Sequence, residues 1–313
     1  MRSGTRVAGL LAAGIASAVI LAACDTASAP PTVEATQSTR AQGESPDSQG
    51  PDSASTAAEP AEAVDAAGIA EHIHNLAVVD GVLYLGTHEG LFRQLPGQTL
   101  EQVSSERFDV MGLTRGGAEW LASGHPGAGM DAPPNLGLMS SPDGVNWEPR
   151  SLYGQVDFHR LAASGQTIVG LSAHDGAFLR SDDAGKTWQD LGTPPLFDLA
   201  VSPTDATTVV GTTGDGPVAS TDGGSTFTPI DGAPLLAFLA WSDNALYAVD
   251  PTGQVHTSTD GGRTWTARGS VPGQPAALAA EGDDVALLVD GAVQYSTDGG
   301  RTFTPRLTGL GGH

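Results

Sequence analysis

The feature that most constrains this chain is an octapeptide that occurs five times. It reads SSPDGVNW ending at Trp147, SDDAGKTW at Trp188, STDGGSTF at Phe227, STDGGRTW at Trp265 and STDGGRTF at Phe303. The closing aromatic residues stand 41, 39, 38 and 38 positions apart, a period that suits a unit of four short strands. Asp followed by glycines is turn chemistry: the carboxylate accepts bonds from nearby backbone N–H groups, and Gly takes the positive φ angles of a tight hairpin. The Trp or Phe that follows supplies a large apolar anchor. A unit this small cannot bury both its faces alone, so neighbouring copies must stack.

An earlier pair of strand-like runs precedes each octapeptide: MGLTRGGAEWLASG, HRLAASGQTIVGLS, DLAVSPTDATTVVGT, FLAWSDNALYAV and ALAAEGDDVALLV. A further unit, HNLAVVDGVLYLGT, has lost its octapeptide around Leu100 to Ser105. Six units imply an all-β fold, a six-bladed β-propeller, with blades near 68–106, 107–155, 156–195, 196–234, 235–274 and 275–313. Each unit begins with its innermost strand and the last ends with its outermost at Thr302 to Leu307. Ring closure is then expected to rest on blade packing, unless residues near Ala67 to Ile69 complete another blade.

The pattern S-x-D-x-G-x-T-W closely resembles the Asp-box, or BNR repeat, of sialidases and related propellers. That resemblance implies structural turns between the third and fourth strands of each blade, on the face away from the chemistry. Asp143, Asp183, Asp222, Asp260 and Asp298 are therefore expected to be structural, with Asp143 one place nearer its aromatic residue than in the other copies.

The N-terminus carries Arg2 and Arg6, then VAGLLAAGIASAVI, then Leu-Ala-Ala-Cys ending at Cys24. A short charged region, a short apolar region and small residues have the layout of an export signal over residues 1–23. Leu-Ala-Ala-Cys resembles the lipobox of bacterial lipoproteins, which implies lipidation of Cys24 and a place on the outer face of the cytoplasmic membrane. Cys24 is the single cysteine, so no intrachain disulfide can form. Residues 24–67 are rich in Ala, Ser, Thr, Pro and acid, and bury too little apolar surface to offset chain entropy. They read as a disordered tether holding a folded domain of residues 68–313, expected to be a monomer.

The formal charge is −22, with 14 Lys and Arg against 36 Asp and Glu. No basic cluster occurs, which argues against a nucleic-acid partner and against docking on anionic lipid. Cations, neutral ligands and basic surfaces remain as partners.

Five of the eight histidines fall at two recurrent positions. His74 and His88, Met111 and His125, and His159 and His174 begin the first strand and end the second strand of blades one to three. The corresponding residues of the later blades read Phe197 and Gly214, Phe238 and Pro251, Ala277 and Val289. Two places before the first position stand His72, Asp109 and Asp157. Strand alternation puts each such pair on one side of its strand, and the short first hairpin brings both positions to one end, opposite the octapeptides. One rim sector is expected to gather His72, His74, His88, Asp109, Met111, His125, Asp157, His159 and His174. The Pro- and Gly-rich segment HPGAGMDAPPNLG, from His125 to Gly137, is placed to cover it with Met130 and Asp131.

Imidazole suits late transition metals, carboxylate adds charge, and thioether sulfur favours copper. The sector is therefore a candidate copper or zinc site, with His72, His74, His88, Met111, His125, His159 and His174 as ligands. No HExxH-type local motif supports it, and a polar lining of the channel mouth is the competing reading. The segments HIHNLAV, GTHEGLF, ASGHPG and DFHRL resemble secreted bacterial BNR-repeat proteins catalogued as glycosyl hydrolases. That resemblance implies a glycosidase using two carboxyl groups, one with a raised pKa, from Asp109, Asp157, Glu89 and Asp175. A sialidase further needs three arginines, a Tyr nucleophile with an acidic partner and an F-R-I-P motif. The motif is absent; Arg160 and Arg107 are the arginines on this face, and Tyr84, Tyr153, Tyr247 and Tyr295 show no Tyr-Glu partnership. A tethered protein-interaction scaffold, as in propellers resembling photosystem assembly factors, is the third reading.

Overall fold

Alternating apolar residues bounded by Asp-Gly, Asn and Gly turns set the strand pattern of this chain. The computed structural model describes residues 63–68 and 72–311. The expected export signal, Cys24 and the expected tether up to residue 62 lie outside the described residues. The described chain forms a six-bladed β-propeller: five sheets of four strands and one of five, each blade built from strands consecutive in sequence. The innermost strands are Ile73–Val79, Asp109–Gly116, Phe158–Ser164, Asp198–Val201, Phe238–Trp241 and Pro275–Glu281, and each packs beside the next around the axis.

Ring closure follows the alternative to packing alone, with residues a few places before Ala67 to Ile69 completing another blade. Val64–Asp65 forms a fifth strand on blade six, parallel to Thr304–Thr308, with Val64 opposite Leu307 and Asp65 opposite Thr308. The ordered fold thus reaches back before residue 68, into the segment read as tether. The short apolar stretch there suffices because Ala66 is completely buried behind the pair and its N–H donates to Thr308 O at 2.8 Å. Across the same seam the Arg306 guanidinium donates to Gln94 Oε1 (2.5 Å), Gln94 O (2.9 Å) and Gly81 O (3.1 Å) of blade one.

The hydrophobic core is divided into six clusters, each wedged between two adjacent blades. Octapeptide aromatics enter five of them: Trp147 meets Phe108 edge-on with centroids 5.5 Å apart, Trp188 lies 5.1 Å from Phe158, and Phe227 meets Phe178 at 5.7 Å. Such offset and edge-on pairs satisfy the ring quadrupoles better than face-to-face stacking.

The octapeptides close the third-to-fourth strand turns by one bonding scheme. In blade four, Ser220 Oγ donates to Asp222 Oδ1 (2.7 Å) and accepts from Gly224 N (2.8 Å), while Asp222 accepts from Thr226 N (2.9 Å) and Thr226 Oγ1 (2.7 Å). Those Thr226 bonds, then Ser220, hold the Asp222 carboxyl down at about 2. Asp183 and Asp260 sit at about 2 for the same reason, through Thr187 and Thr264. At Asp298 burial pushes upward, and the two Thr302 bonds with Ser296 outweigh it, again giving about 2. The turn at Asp143 is one residue shorter: Gly144 N reaches Ser141 Oγ at 2.8 Å, and Asp143 binds Val145 N instead of a threonine.

Candidate functional site

The mouth of the propeller opposite these turns is shaped by a repeated irregularity. In blades one, two, three and six the pairing of the innermost strand skips one residue: His74, Met111, His159 and Ala276 are the extra residues. A β-bulge leaves its extra residue out of the ladder and re-aims the side chain. Blades four and five have continuous registers, beginning Asp198 opposite Thr212 and Phe238 opposite Val249. The sequence alignment is thereby corrected by one place at blades five and six, where Phe238 matches Asn75 and Arg160, and Ala276, not Ala277, matches His74; at blade four Phe197 keeps its place, which sets Asp198 level with Asn75 and Arg160.

The structure brings the candidates together as two separate triads. His74 Nε2 lies 3.3 Å from Asp109 Oδ1 and His88 Nε2 lies 3.6 Å from Asp109 Oδ2. His125 Nε2 and His159 Nε2 lie 3.2 and 2.8 Å from Asp157 Oδ2. Within each triad one ligand atom per residue falls within 4.8 Å of the others. Asp109 and His125 are direct cross-strand partners in blade two. Blade two therefore gives its carboxylate to the triad shared with blade one and its imidazole to the triad shared with blade three.

Asp157 is the most informative of these residues. Its side chain is 5% exposed, and Oδ1 has no hydrogen-bond partner. His159 Nε2 approaches Oδ2 without the alignment of a hydrogen bond, so that nitrogen too is unsatisfied. Buried polar atoms left unpaired cost free energy. His125 adds a tautomer argument: Nδ1 lies 2.9 Å from Pro134 O, and a carbonyl only accepts, so Nδ1 carries the proton and donates. In the neutral ring Nε2 then presents a lone pair to the Asp157 carboxylate. Two acceptors facing each other require either an imidazolium or a cation between them. A tetrahedral zinc with bonds of about 2.0–2.1 Å has ligand-to-ligand edges of roughly 3.3 Å, close to the histidine–carboxylate spacings of both triads.

The remaining candidates fall outside the triads. His72, at φ 52°, stacks on His88 with centroids 4.8 Å apart, and His88 stacks on His74 at 4.7 Å. His174 is exposed on its loop beside Asp175. Met111 enters through its backbone, its carbonyl accepting from Asn75 Nδ2 at 2.6 Å. The loop from His125 serves the site with Pro134 O. Met130 packs against the core between blades one and two, its sulfur accepting from Gly127 N at 3.4 Å, and Asp131 is exposed.

The other carboxylates and arginines are committed elsewhere. Glu89 pairs with Arg107 at 3.2 Å on the surface. Asp175 is held below the usual carboxylate range by Ser172 and by Ala177 N–H. Tyr84 packs at 4.5 Å from Trp120, Tyr247 donates to Gly282 O at 3.2 Å, and Tyr295 lies under Arg306, so none faces the triads.

Sequence reasoning missed Asp198. It is buried, with Arg160 Nε 3.1 Å from Oδ1 and Leu239 N–H donating to Oδ2 at 2.7 Å. Burial pushes its carboxyl up, against the pull of Arg160 and the backbone donors. The signal was present as a charged residue opening the DLAV strand, one place after Phe197. His74, Asn75, Arg160, Asp198 and Phe238 line a vestibule of about 80 Å³ at the mouth. Leu76, Leu113, Leu161, Leu199, Leu239 and Leu278, one from each blade, separate it from a deeper axial cavity of about 240 Å³.

No protein-family model and no curated protein sequence matches this chain. Solved structures do. The chain is similar to a chain of a nidogen/laminin complex, at 11% identity over 72% of this chain and 92% of that one, with a TM-score of 0.57. It is also similar to the GH74 xyloglucanase from Xanthomonas campestris, at 15% identity over 75% of this chain, with a TM-score of 0.51. This chain spans 45% of that enzyme's length. YCF48 bound to D1 peptide gives 20% identity, coverages of 79% and 85%, and a TM-score of 0.49. At such identities the first two matches support the propeller architecture and nothing finer, because unrelated functions share folds.

Proposed function

We propose that this protein binds divalent transition metal, zinc or copper, at the mouth of a propeller tethered through lipidated Cys24 to the outer face of the cytoplasmic membrane. The observation that carries the reading is Asp157: a buried carboxylate with one oxygen unpaired and the other met by two imidazole nitrogens, one with its lone pair directed inward. Two imidazoles and one carboxylate form a ligand set common to zinc, and a set of three protein ligands leaves a coordination position open. His125 donating its second nitrogen to a backbone carbonyl is the outer-shell contact that metal-bound histidines usually make. The His74/His88/Asp109 triad is the second site of the same kind.

Zinc and copper titration of the full chain carrying Cys24→Ser, followed by metal analysis, tests this. Loading of both triads is expected. His125→Ala with His159→Ala should remove one site, and His74→Ala with His88→Ala the other, with unchanged far-UV circular dichroism. Metal content and affinity left intact in both double variants would sink the reading. Carbohydrate hydrolysis is the alternative at the same mouth. Its carboxylate pair, Asp109 and Asp157, is taken up by histidines. An aryl-glycoside panel is expected to stay silent; turnover abolished by Asp109→Asn or Asp157→Asn would favour the enzyme.

A further inference from the structure

The two faces of the disc differ in charge, even with both triads set aside. Every second-to-third strand turn lies on the mouth face, and each carries one acid: Glu89, Asp131, Asp175, Asp215, Asp250 and Asp290. Asp250 is half-buried beside His256, and the other five are exposed. Among the described residues the connections on this face carry one cation, Arg107, which Glu89 neutralises at 3.2 Å. Arg160, near the start of its strand, is likewise paired, with Asp198. Lys186, Arg263 and Arg301 sit in octapeptide turns on the opposite face. A partner approaching the mouth therefore meets uncompensated negative charge, which attracts cations and repels anions.

The same face holds the exposed apolar groups. Among the described residues the large hydrophobics that stand exposed are Tyr153 (39%), Phe197 (66%) and Leu235 (49%). They lie on three consecutive connections from an outermost strand to the next innermost strand, those entering blades three, four and five. Phe197 and Leu235 belong to no core cluster, whereas their neighbours Leu196 and Leu236 do. Local bonds fix both beside acidic turns. Phe197 N donates to Thr212 O at 2.9 Å, and its ring lies 3.8 Å from where a Cβ on Gly214 would stand, next to Asp215. Ala237 N donates to Val249 O at 2.8 Å, which holds the connection carrying Leu235 against the turn of Asp250. Just after Leu235, Ala237 and Phe238 wall a cavity of about 480 Å³ together with Pro251 and Pro275. Large apolar groups gathered on one exposed face mark an interaction surface.

We infer that this arc, across the mouth of blades three to five, is a docking surface for a cationic segment of a partner protein in which Lys or Arg alternates with large apolar residues. Tyr153, Phe197 and Leu235 cover the partner's apolar side chains, removing both surfaces from water. Asp175 and Asp215 receive its cations. Being exposed, these acids steer and orient the partner more than they hold it. The apolar contacts supply the affinity, and the acids select the sign of the partner's charge. Neither contribution requires a metal.

The test titrates three end-blocked peptides calorimetrically into the full chain carrying Cys24→Ser, without added metal. They are Lys-Leu-Lys-Phe-Lys-Leu-Lys-Phe, its charge-only counterpart with Ser for Leu and Phe, and its acidic counterpart with Glu for Lys. The first should bind, and each of the others should bind about tenfold more weakly or worse. Phe197→Ser with Leu235→Ser should weaken the first peptide about tenfold and leave thermal melts unchanged, since both residues stand outside the core. Asp175→Asn with Asp215→Asn should weaken it severalfold and flatten its dependence on salt. Asp243→Asn, exposed on the opposite face, should change nothing. Equal binding of the acidic peptide, or affinity indifferent to Phe197→Ser with Leu235→Ser, overturns the inference. Self-association in sedimentation runs that Phe197→Ser with Leu235→Ser abolishes also overturns it, because a second copy then covers the arc. Binding to phosphatidylcholine vesicles that the same variant loses overturns it in favour of a membrane surface. All outcomes are read without metal, so the metal reading stands or falls separately.

Discussion

Asp222 illustrates how much of this molecule rests on single side chains. Its carboxylate gathers Ser220 and both donors of Thr226, and is held at about 2 against an ordinary 3.8. A folded pKa below the unfolded one means the charged form is bound more tightly in the native state. Its contribution is therefore fully present above about pH 4 and is lost as pH falls through about 2. Asp183, Asp260 and Asp298 behave alike. Thermal melts followed by circular dichroism should show Asp222→Asn lowering Tm at pH 7, with the difference from the parent shrinking toward pH 2. A difference independent of pH would show that the ionised carboxylate adds nothing. These residues were legible in the sequence because their partners lie within four positions. Asp198 was not: its partners, Arg160 and the Leu239 backbone, come from the blades on either side.

Each blade is a short meander whose third-to-fourth strand turn depends on glycine. Gly224 adopts φ +96°, and a Cβ there would run into the ring of Phe178 in the preceding blade. Left-handed backbone and an overfilled contact each cost, so Gly224→Ala should lower unfolding free energy by about 3 kcal/mol in urea titrations. A change within experimental error would mean that the turn relaxes freely. The bulges show the limit of pattern reading at this level. A one-residue slip changes which side of a strand a side chain occupies, and a bulge introduces that change locally. The residues HIHN and DFHR signal two histidines and an aspartate at strand starts. They do not say that His74 and His159 stand outside the ladder.

The whole ring is closed by distant parts of the chain. Val64 and Asp65 add to the edge of blade six, and Arg306 spans to Gln94 and Gly81 in blade one. Three bonds from a charged donor, partly buried, predict that Arg306→Met destabilises the protein by about 3 kcal/mol. Hydrogen exchange should place that loss first in blades one and six. Starting the chain at residue 68 removes the buried Ala66 and its paired neighbours, a loss of about 2 kcal/mol. If both variants match the parent in melts and exchange, closure rests on blade packing alone.

The octapeptides, their period and the strand pairs before them were enough to specify six four-stranded blades, because turn chemistry and hairpin pairing are local. The same periodicity placed histidines and aspartates of three consecutive blades at one end of the disc. Tertiary structure decided what local rules cannot reach. It split the expected sector into two triads across blade boundaries, turned Met130 against the core, and left His174 on an exposed loop. It also brought Asp198 and Arg160 together beneath Phe238, and drew residues before 68 into the last blade. The physical reason is common to all of these: each depends on how one blade sits against its neighbour, and the contacts that set that geometry are separated by a full repeat or by the length of the ring.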